Sequence, residues 1–280
     1  MAQLSVYSLH KITSDEPSTL SFSPKEYSRF KFGDDRISHR FGIELAKAFT
    51  ANVLGLIQDS STEFSVAVSY EYTPSAAYGL RSHFVSYLNR YLVSHKCNPA
   101  HKVDIYRSMS YTVDYATQDA TTRARLMNKA RFQIDRERVA GQTIIVLDDM
   151  RVTGSHEERI KRMLREANLV NRVFFVYFAE VTNHSISPTI EHRLNSAGVS
   201  SFKEIEALAQ SGKFCMNNRV VKDVMSREHV EFCQFLRRQD DDFAHLLLDC
   251  VIGSRYYDRV EYRENFKFLL WEVKARESII

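Results

Sequence analysis

A chain of 280 residues that is 44% hydrophobic, 26% charged and 12% aromatic has room for one large α/β domain with appendages or for two smaller domains, and disorder, collagen and coiled coil are excluded. A formal net charge of +3, with no long run of one sign, is too mild to predict nucleic-acid binding, and small anionic ligands remain as targets. Only 9 Gly and 5 Pro leave few turns and imply long helices.

The first apolar periodicity runs from Asp34 to Phe49, where Ile37, Phe41, Leu45, Ala48 and Phe49 predict an amphipathic helix. Glu63 to Tyr70 reads as a strand, and Pro74 and Ser75 open a helix whose face is Ala76, Ala77, Leu80, Phe84, Tyr87, Leu88 and Tyr91, ending near His95. Val103 to Tyr106 is a short strand. From Arg107 to about Val139 the sequence is polar and without a clear period, and it carries Arg107, Arg123, Arg125, Lys129 and Arg131, the marks of a functional loop. Thr143 to Leu147 and Arg172 to Glu180 are continuous apolar runs of the kind buried on both faces of a parallel sheet. Between them Ser155 to Leu169 is helical, and Pro188 to Asn195 begins another helix. A short strand at Lys213 to Met216 and helices from about Val220 onward complete the chain. Alternating strands and helices predict right-handed βαβ units.

Several chemistries are absent from the sequence. The closest two glycines are Gly33 and Gly42, so neither a G-x-G-x-x-G nor a G-x-x-x-x-G-K-[ST] loop exists. No G-x-S-x-G elbow occurs, and His156-Glu157 is followed by Ile160 where a zinc helix needs its second His. Cys97, Cys215, Cys233 and Cys250 form no C-x-x-C pair and read as buried, reduced thiols. Met1 to Lys11 lacks a signal pattern, and the longest apolar stretch, around Val173 to Ala179, is too short to span a bilayer. The expectation is a cytoplasmic protein with neither membrane nor nucleic-acid partners.

The chemistry concentrates in Ile144-Ile-Val-Leu-Asp-Asp-Met-Arg-Val-Thr-Gly-Ser-His-Glu-Glu158. A buried strand ending in Asp148 and Asp149 places two carboxylates at the carboxyl edge of the sheet, where open α/β sheets bind ligands. Ser155 and Glu158 fit a capping box, so the loop Met150 to Gly154 leads to a helix N-terminus that can hold a phosphate. The Thr153 and Ser155 hydroxyls add donors, and Gly154 permits close approach. Carboxylates repel a phosphate, so their partners are the hydroxyls of the sugar that bears it. Asp149 and Thr153 also have the D-x-D-x-T spacing of a haloacid-dehalogenase phosphatase, but Arg151 replaces its second Asp and cannot act as a general acid.

Ile144 to Ser155 resembles the hallmark of the type I phosphoribosyltransferases: four apolar residues, two acidic residues, a short loop and Thr-Gly. The resemblance implies that Asp148 and Asp149 hold the ribose hydroxyls of phosphoribosyl pyrophosphate (PRPP), directly or through Mg²⁺, and so serve as catalytic and metal-binding residues. It also implies that Met150, Arg151, Val152, Thr153, Gly154 and Ser155 bind the 5-phosphate. Ser69-Tyr-Glu-Tyr-Thr-Pro-Ser-Ala-Ala77 is similar to the pyrophosphate loop of orotate phosphoribosyltransferases in Tyr70, Pro74, Ala76 and Ala77. Tyr70, Glu71, Tyr72, Thr73, Pro74 and Ser75 are therefore expected to meet pyrophosphate. Glu71 stands where those enzymes have lysine, and Tyr72 where they have glycine. The stretch from Arg107 to Arg131 occupies the place of the family's catalytic loop, with Arg107 as a catalytic candidate. Val152 replaces the acidic residue of purine-specific members, which points to another heterocyclic acceptor. Tyr27-Ser-Arg-Phe-Lys-Phe-Gly33 and Leu147 to Glu157 are further similar to phosphoribosyltransferases of bacterial stress and tellurium-resistance gene clusters.

The expected architecture is α/β, a type I phosphoribosyltransferase-like parallel sheet flanked by helices, with helical extensions at both ends. Residues 1–50 form an N-terminal helical segment, 51–217 the core and 218–280 a C-terminal helical extension that covers the site or makes a homodimer contact. The expected function is transfer of ribose 5-phosphate from PRPP to a nitrogenous base with release of pyrophosphate. The alternative is a non-catalytic PRPP- or nucleotide-binding regulatory protein, which Glu71 and Tyr72 favour. The hood that reads the base comes from Met1 to Thr50 or from Ala197 to Val220.

Overall fold

The structure, a computed structural model, describes residues 3–54, 61–108 and 131–278. Its six strands are β1 (Gln3–Ile12), β2 (Phe64–Tyr70), β3 (His101–Ser108), β4 (Arg131–Gln133), β5 (Thr143–Arg151) and β6 (Arg172–Val181), and they form one sheet in the order β1-β6-β5-β2-β3-β4. Every neighbouring pair is parallel except β3 with β4. The helices are α1 (Pro24–Lys31), α2 (Asp35–Asn52), α3 (Ala76–Ser94), α4 (Arg136–Val139), α5 (Ser155–Glu166), α6 (Ile190–Asn195), α7 (Phe202–Ala209), α8 (Asn218–Met225), α9 (His229–Arg237), α10 (Asp241–Gly253) and α11 (Arg263–Glu277).

The period of two in a strand sends alternate residues to opposite faces, and the central strands are apolar on both. Ile145 and Leu147 join Phe174, Val176 and Phe178 in a core completed by Phe41, Leu45 and Phe49 of α2 and Leu80, Phe84 and Leu88 of α3. Ile144 and Val146 join Val173, Phe175 and Tyr177 on the other face, under Ile160, Met163 and Leu164 of α5. Units β2-α3-β3 and β5-α5-β6 thus cover the sheet from both sides. From Val199 onward a separate apolar cluster, including Phe202, Phe232, Phe235, Leu247 and Leu269, holds the C-terminal helices together. No helix among the described residues is long and apolar enough to cross a membrane.

Several details differ from the sequence expectations. The segment 1–50 is not wholly helical, because Gln3–Ile12 adds β1 to the sheet in parallel with β6. As an edge strand with a half-exposed face it mixes Ser5, Ser8, His10 and Lys11 with its apolar residues, which hides it from an apolar-run criterion. The polar stretch ends in β4, which makes the sheet mixed, and in α4; residues 109–130, with Tyr111, Arg123, Arg125 and Lys129, lie outside the described residues. Lys213 to Met216 forms a single bridge, Phe214 to Asp34, instead of a strand. Cys215 is exposed and Cys97 and Cys233 half-buried, so Cys250 alone is the buried thiol expected.

Helices α2 and α3 meet at Gly42, where a Cβ would lie 2.8 Å from the His83 Cβ and 2.9 Å from the Leu80 carbonyl oxygen. Gly42→Ala is therefore expected to destabilise the fold by about 1–3 kcal/mol through overpacking, measured by urea unfolding. A gain of about 1 kcal/mol, which helix propensity alone would give, would contradict this contact.

Candidate active site

Asp148 and Asp149 lie near the carboxyl end of β5, as the sequence predicts, and they differ in environment. Asp149 is buried. Its Oδ2 accepts a short hydrogen bond from the Tyr27 hydroxyl and lies 2.6 Å from the Lys31 Nζ, itself largely buried. Tyr27 and Lys31 are four residues apart and so share one face of α1. That helix starts at Pro24, with the Ser23 hydroxyl accepting from the Glu26 N–H, and it is pinned over the sheet edge by Ser28. The Ser28 hydroxyl donates to the Asn195 carbonyl at 2.6 Å and accepts from the Val199 N–H at 3.0 Å, while Asn217 donates to the Lys31 carbonyl at 3.2 Å. Both segments proposed for the hood therefore contribute to the cover of the acidic pair.

Two adjacent carboxylates, one buried and one partly buried, resist carrying two charges side by side. Burial pushes both acids up, but Lys31 and Tyr27 outweigh it at Asp149 and hold that group below the usual carboxylate range. Asp148 has no such partner; burial first, and the Asp149 charge second, raise it well above that range. The pair is thus one carboxylate and one carboxylic acid near neutrality. The Asp148 Oδ1 accepts from the Asp149 N–H at 3.0 Å, and its side chain is 25% exposed, which leaves it within reach of a ligand. Glu191 of α6 is raised by burial and by Asp149.

His156, in the first turn of α5, places its Nε2 2.9 Å from the Ser69 Oγ and 3.7 Å from the Asp148 Oδ2. Burial, then the charges of Arg107 and Arg159, push it down to about 4, so at pH 7 it is a neutral imidazole. It stands beside Ser69 and Asp148 in the candidate site.

The phosphate loop is shorter than expected, because Met150 and Arg151 continue β5 opposite Ala179 and Glu180. Arg151 donates to Glu157 at 2.7 Å and Glu180 at 2.8 Å, which fixes it as a structural ion pair. Gly154 adopts φ +73°, a left-handed conformation natural to glycine, and serves as the N-cap of α5. The expected capping box does not form: Ser155 is the first helical residue, its hydroxyl lies 2.8 Å from the Thr153 Oγ1, and Glu158 pairs with Lys161 at 2.8 Å. The N-cap glycine has no side chain to offer, and the Thr153 Oγ1 accepts from the Ser155 N–H at 3.4 Å, so the N-terminus presents its following amides beside two hydroxyls.

The segment Tyr70 to Ser75 owes its departures to its neighbours. Glu71 accepts from the Arg107 guanidinium at 3.0 Å, so two residues expected at the pyrophosphate neutralise one another. Tyr72 lies against Gly253, where a Cβ would overlap its ring. Thr73 is buried and bonds to the Cys250 carbonyl at 3.2 Å and the Ser254 hydroxyl at 2.7 Å, and the Pro74 carbonyl accepts from the Asn218 N–H at 2.8 Å. Tyr70 meets Tyr106 edge to face. Sequence reasoning missed Tyr27 and Lys31 as site residues; their i, i+4 spacing inside the Tyr27 to Gly33 string was the available signal. Among the described residues no group of three or more His, Cys, Asp or Glu side chains is placed to hold a metal ion.

A mostly parallel sheet with an acidic pair at its carboxyl end, followed by a glycine turn into an uncapped helix, defines the phosphoribosyltransferase class of fold. The chain belongs to the ComF-like phosphoribosyltransferase family (PRTase ComF-like), whose profile matches residues 4–269. No curated protein matches the sequence. Among solved structures, the chain is similar to a hypoxanthine-guanine phosphoribosyltransferase from Bacillus anthracis at 12% identity and a TM-score of 0.35, covering 56% of this chain and 77% of that one. It is also similar to an adenine phosphoribosyltransferase at 14% identity and 0.32, covering 51% and 71%, and to the Trypanosoma cruzi hypoxanthine phosphoribosyltransferase at 14% and 0.33, covering 54% and 77%. Resemblances this distant carry no information about substrate.

The raised Asp148 has a consequence for stability. Between its unfolded and folded values the native state binds more protons than the unfolded state, so stability falls as pH rises through that window. Asp148→Asn removes this cost and is expected to raise stability at about pH 7.5 while changing little at about pH 4, measured by urea unfolding at the two values. Equal effects at both would contradict the assigned protonation.

Proposed function

We propose that the protein transfers the ribose 5-phosphate of PRPP to a ring nitrogen of a heterocyclic acceptor, releasing pyrophosphate. The observation that carries this reading is the juxtaposition on β5 and α5 of an acidic pair with the uncapped turn Thr153-Gly154-Ser155. In the reaction the bond from the ribose anomeric carbon to the pyrophosphate oxygen breaks, the bond to the acceptor nitrogen forms, and the nitrogen's proton leaves to solvent. The anomeric carbon passes through an oxocarbenium-like cation. Asp149, kept ionised by Lys31 and Tyr27, fastens α1 over the strand end, and that cover excludes water from the cation. Asp148, with the more accessible carboxyl, bonds a ribose hydroxyl, and Thr153, Gly154 and Ser155 anchor the 5-phosphate. Val152 has no proton-accepting group, which favours an acceptor other than a typical purine.

Mg²⁺ suits this chemistry because it neutralises the departing pyrophosphate, and it is commonly held by one or two carboxylates together with substrate oxygens. Asp148, which has no lysine partner, would hold it once the cation displaces its proton, since Lys31 already meets the charge of Asp149. The same Lys31 contact favours a second reading, a PRPP- or nucleotide-binding regulator, in which the engaged Asp149 binds ligand without turnover. The thiols are all free, in keeping with a reducing, cytoplasmic setting.

Thermal unfolding with Mg²⁺ and PRPP tests the site. At about a hundred times its dissociation constant PRPP should stabilise the wild type by roughly 2.7 kcal/mol, a shift of several degrees that an Asp148→Asn, Asp149→Asn double variant loses. Pyrophosphate release with a panel of heterocycles then separates transferase from regulator. If PRPP shifts neither protein, the β5 motif is fold without this function.

A further inference from the structure

Helices α2 and α3 are in close contact at Gly42, and one turn nearer their N-termini they leave a cavity of about 360 Å³. Phe30, Pro74, Tyr78 and Met216 supply its apolar walls, and neither the acidic pair nor the turn Thr153-Gly154-Ser155 belongs to its lining. Asn217, a further wall residue, donates to the Lys31 carbonyl at 3.2 Å, so the cavity adjoins α1.

Two features of the lining point to an occupant. Ser38 is only 5% exposed and borders the cavity, and its hydroxyl has no hydrogen-bond partner among the described residues. A largely buried hydroxyl without a partner costs stability unless something in the cavity meets it. Gly79, the fourth residue of α3, faces the same space. A Cβ on Gly79 would meet Ser38 alone, 3.5 Å from its Oγ and 3.9 Å from its Cβ, which is ordinary contact. Alanine would therefore fit and strengthen the helix. The bare glycine leaves instead an open stretch of cavity wall.

The polar groups set the chemistry. Asp35 and Ser38 are three residues apart on α2 and share one of its faces. The Asp35 Oδ1 lies 2.8 Å from the His83 Nε2, and the Cys215 thiol also donates to this carboxylate. An ionised carboxylate offers about four lone-pair sites and no donor, so Asp35 keeps room for an N–H group, while the Ser38 hydroxyl can donate beside it. Among the described residues no lysine or arginine lines the cavity, and a phosphate or carboxylate there would face Asp35 without a counter-charge. Apolar walls with a few convergent polar groups suit a small, flat, uncharged molecule.

We propose that this cavity binds an uncharged heterocycle of nucleobase size by its amidine edge, an exocyclic amino group donating to Asp35 and the adjacent ring nitrogen accepting from the Ser38 hydroxyl, with the ring in the space that Gly79 leaves open. The site is separate from the acidic pair and stands whether or not that pair transfers ribose 5-phosphate.

Calorimetric titration of the full chain with adenine, which has this edge, and with hypoxanthine, which carries oxygen in place of the amino group, tests the proposal. Adenine is expected to bind with a dissociation constant below about 1 mM and at least about tenfold more tightly than hypoxanthine. Gly79→Leu puts a good helix former into the cavity, so it should abolish adenine binding without lowering the unfolding temperature. Asp35→Asn should weaken adenine by about tenfold or more, whereas the Asp148→Asn, Asp149→Asn double variant should bind it as the wild type does. Should Gly79→Leu fail to fold, Asp35→Asn decides alone. Absence of adenine binding, equal affinity for hypoxanthine, binding that survives Gly79→Leu or Asp35→Asn, or binding lost in the double variant overturns the proposal.

Discussion

The contact between Lys31 and Asp149 organises the site. A parallel sheet brings its strand ends, and the ligand groups on them, to one edge, and here that edge carries two adjacent carboxylates in surroundings too dry for both to ionise. Lys31 and Tyr27 settle which one keeps its charge. Removing one partner of such a buried pair typically costs about 3–5 kcal/mol, so α1 is held to β5 by an interaction the fold cannot easily forgo. The result is a charged acid under cover and a neutral one nearer the surface, two chemically distinct groups made from identical residues.

The same logic explains Glu71 and Tyr72. Against orotate enzymes these positions look like damage to a pyrophosphate loop. In the folded chain Glu71 answers Arg107, and Tyr72 occupies space that Gly253 leaves open. Thr73 and Pro74 then fasten the segment to the α10 end and to the start of α8. The C-terminal helices, with an apolar core of their own, are in this way part of the site's wall.

The parts of the fold legible in the sequence were those written in local periodicity. Helices α2, α3 and α5 and strands β2, β3, β5 and β6 follow from 3.6-residue and apolar-run patterns, because a buried face must repeat with the geometry of its element. Strand β1 was not legible, since an edge strand meets solvent on one side and its mixed residues satisfy no single period. The capping box at Ser155 and Glu158 also misled: Gly154 in the left-handed region starts the helix one residue earlier, so the serine lies inside it.

Sequence alone determined the acidic pair, the Thr-Gly-Ser turn and the strand that carries them, because each depends on neighbours within a few residues. Tertiary structure decided what those residues meet. Tyr27 lies 122 positions from Asp149, and Arg107 lies 36 from Glu71. Protonation, charge balance and cover arise from distances across space, and a linear string encodes those only through the whole fold.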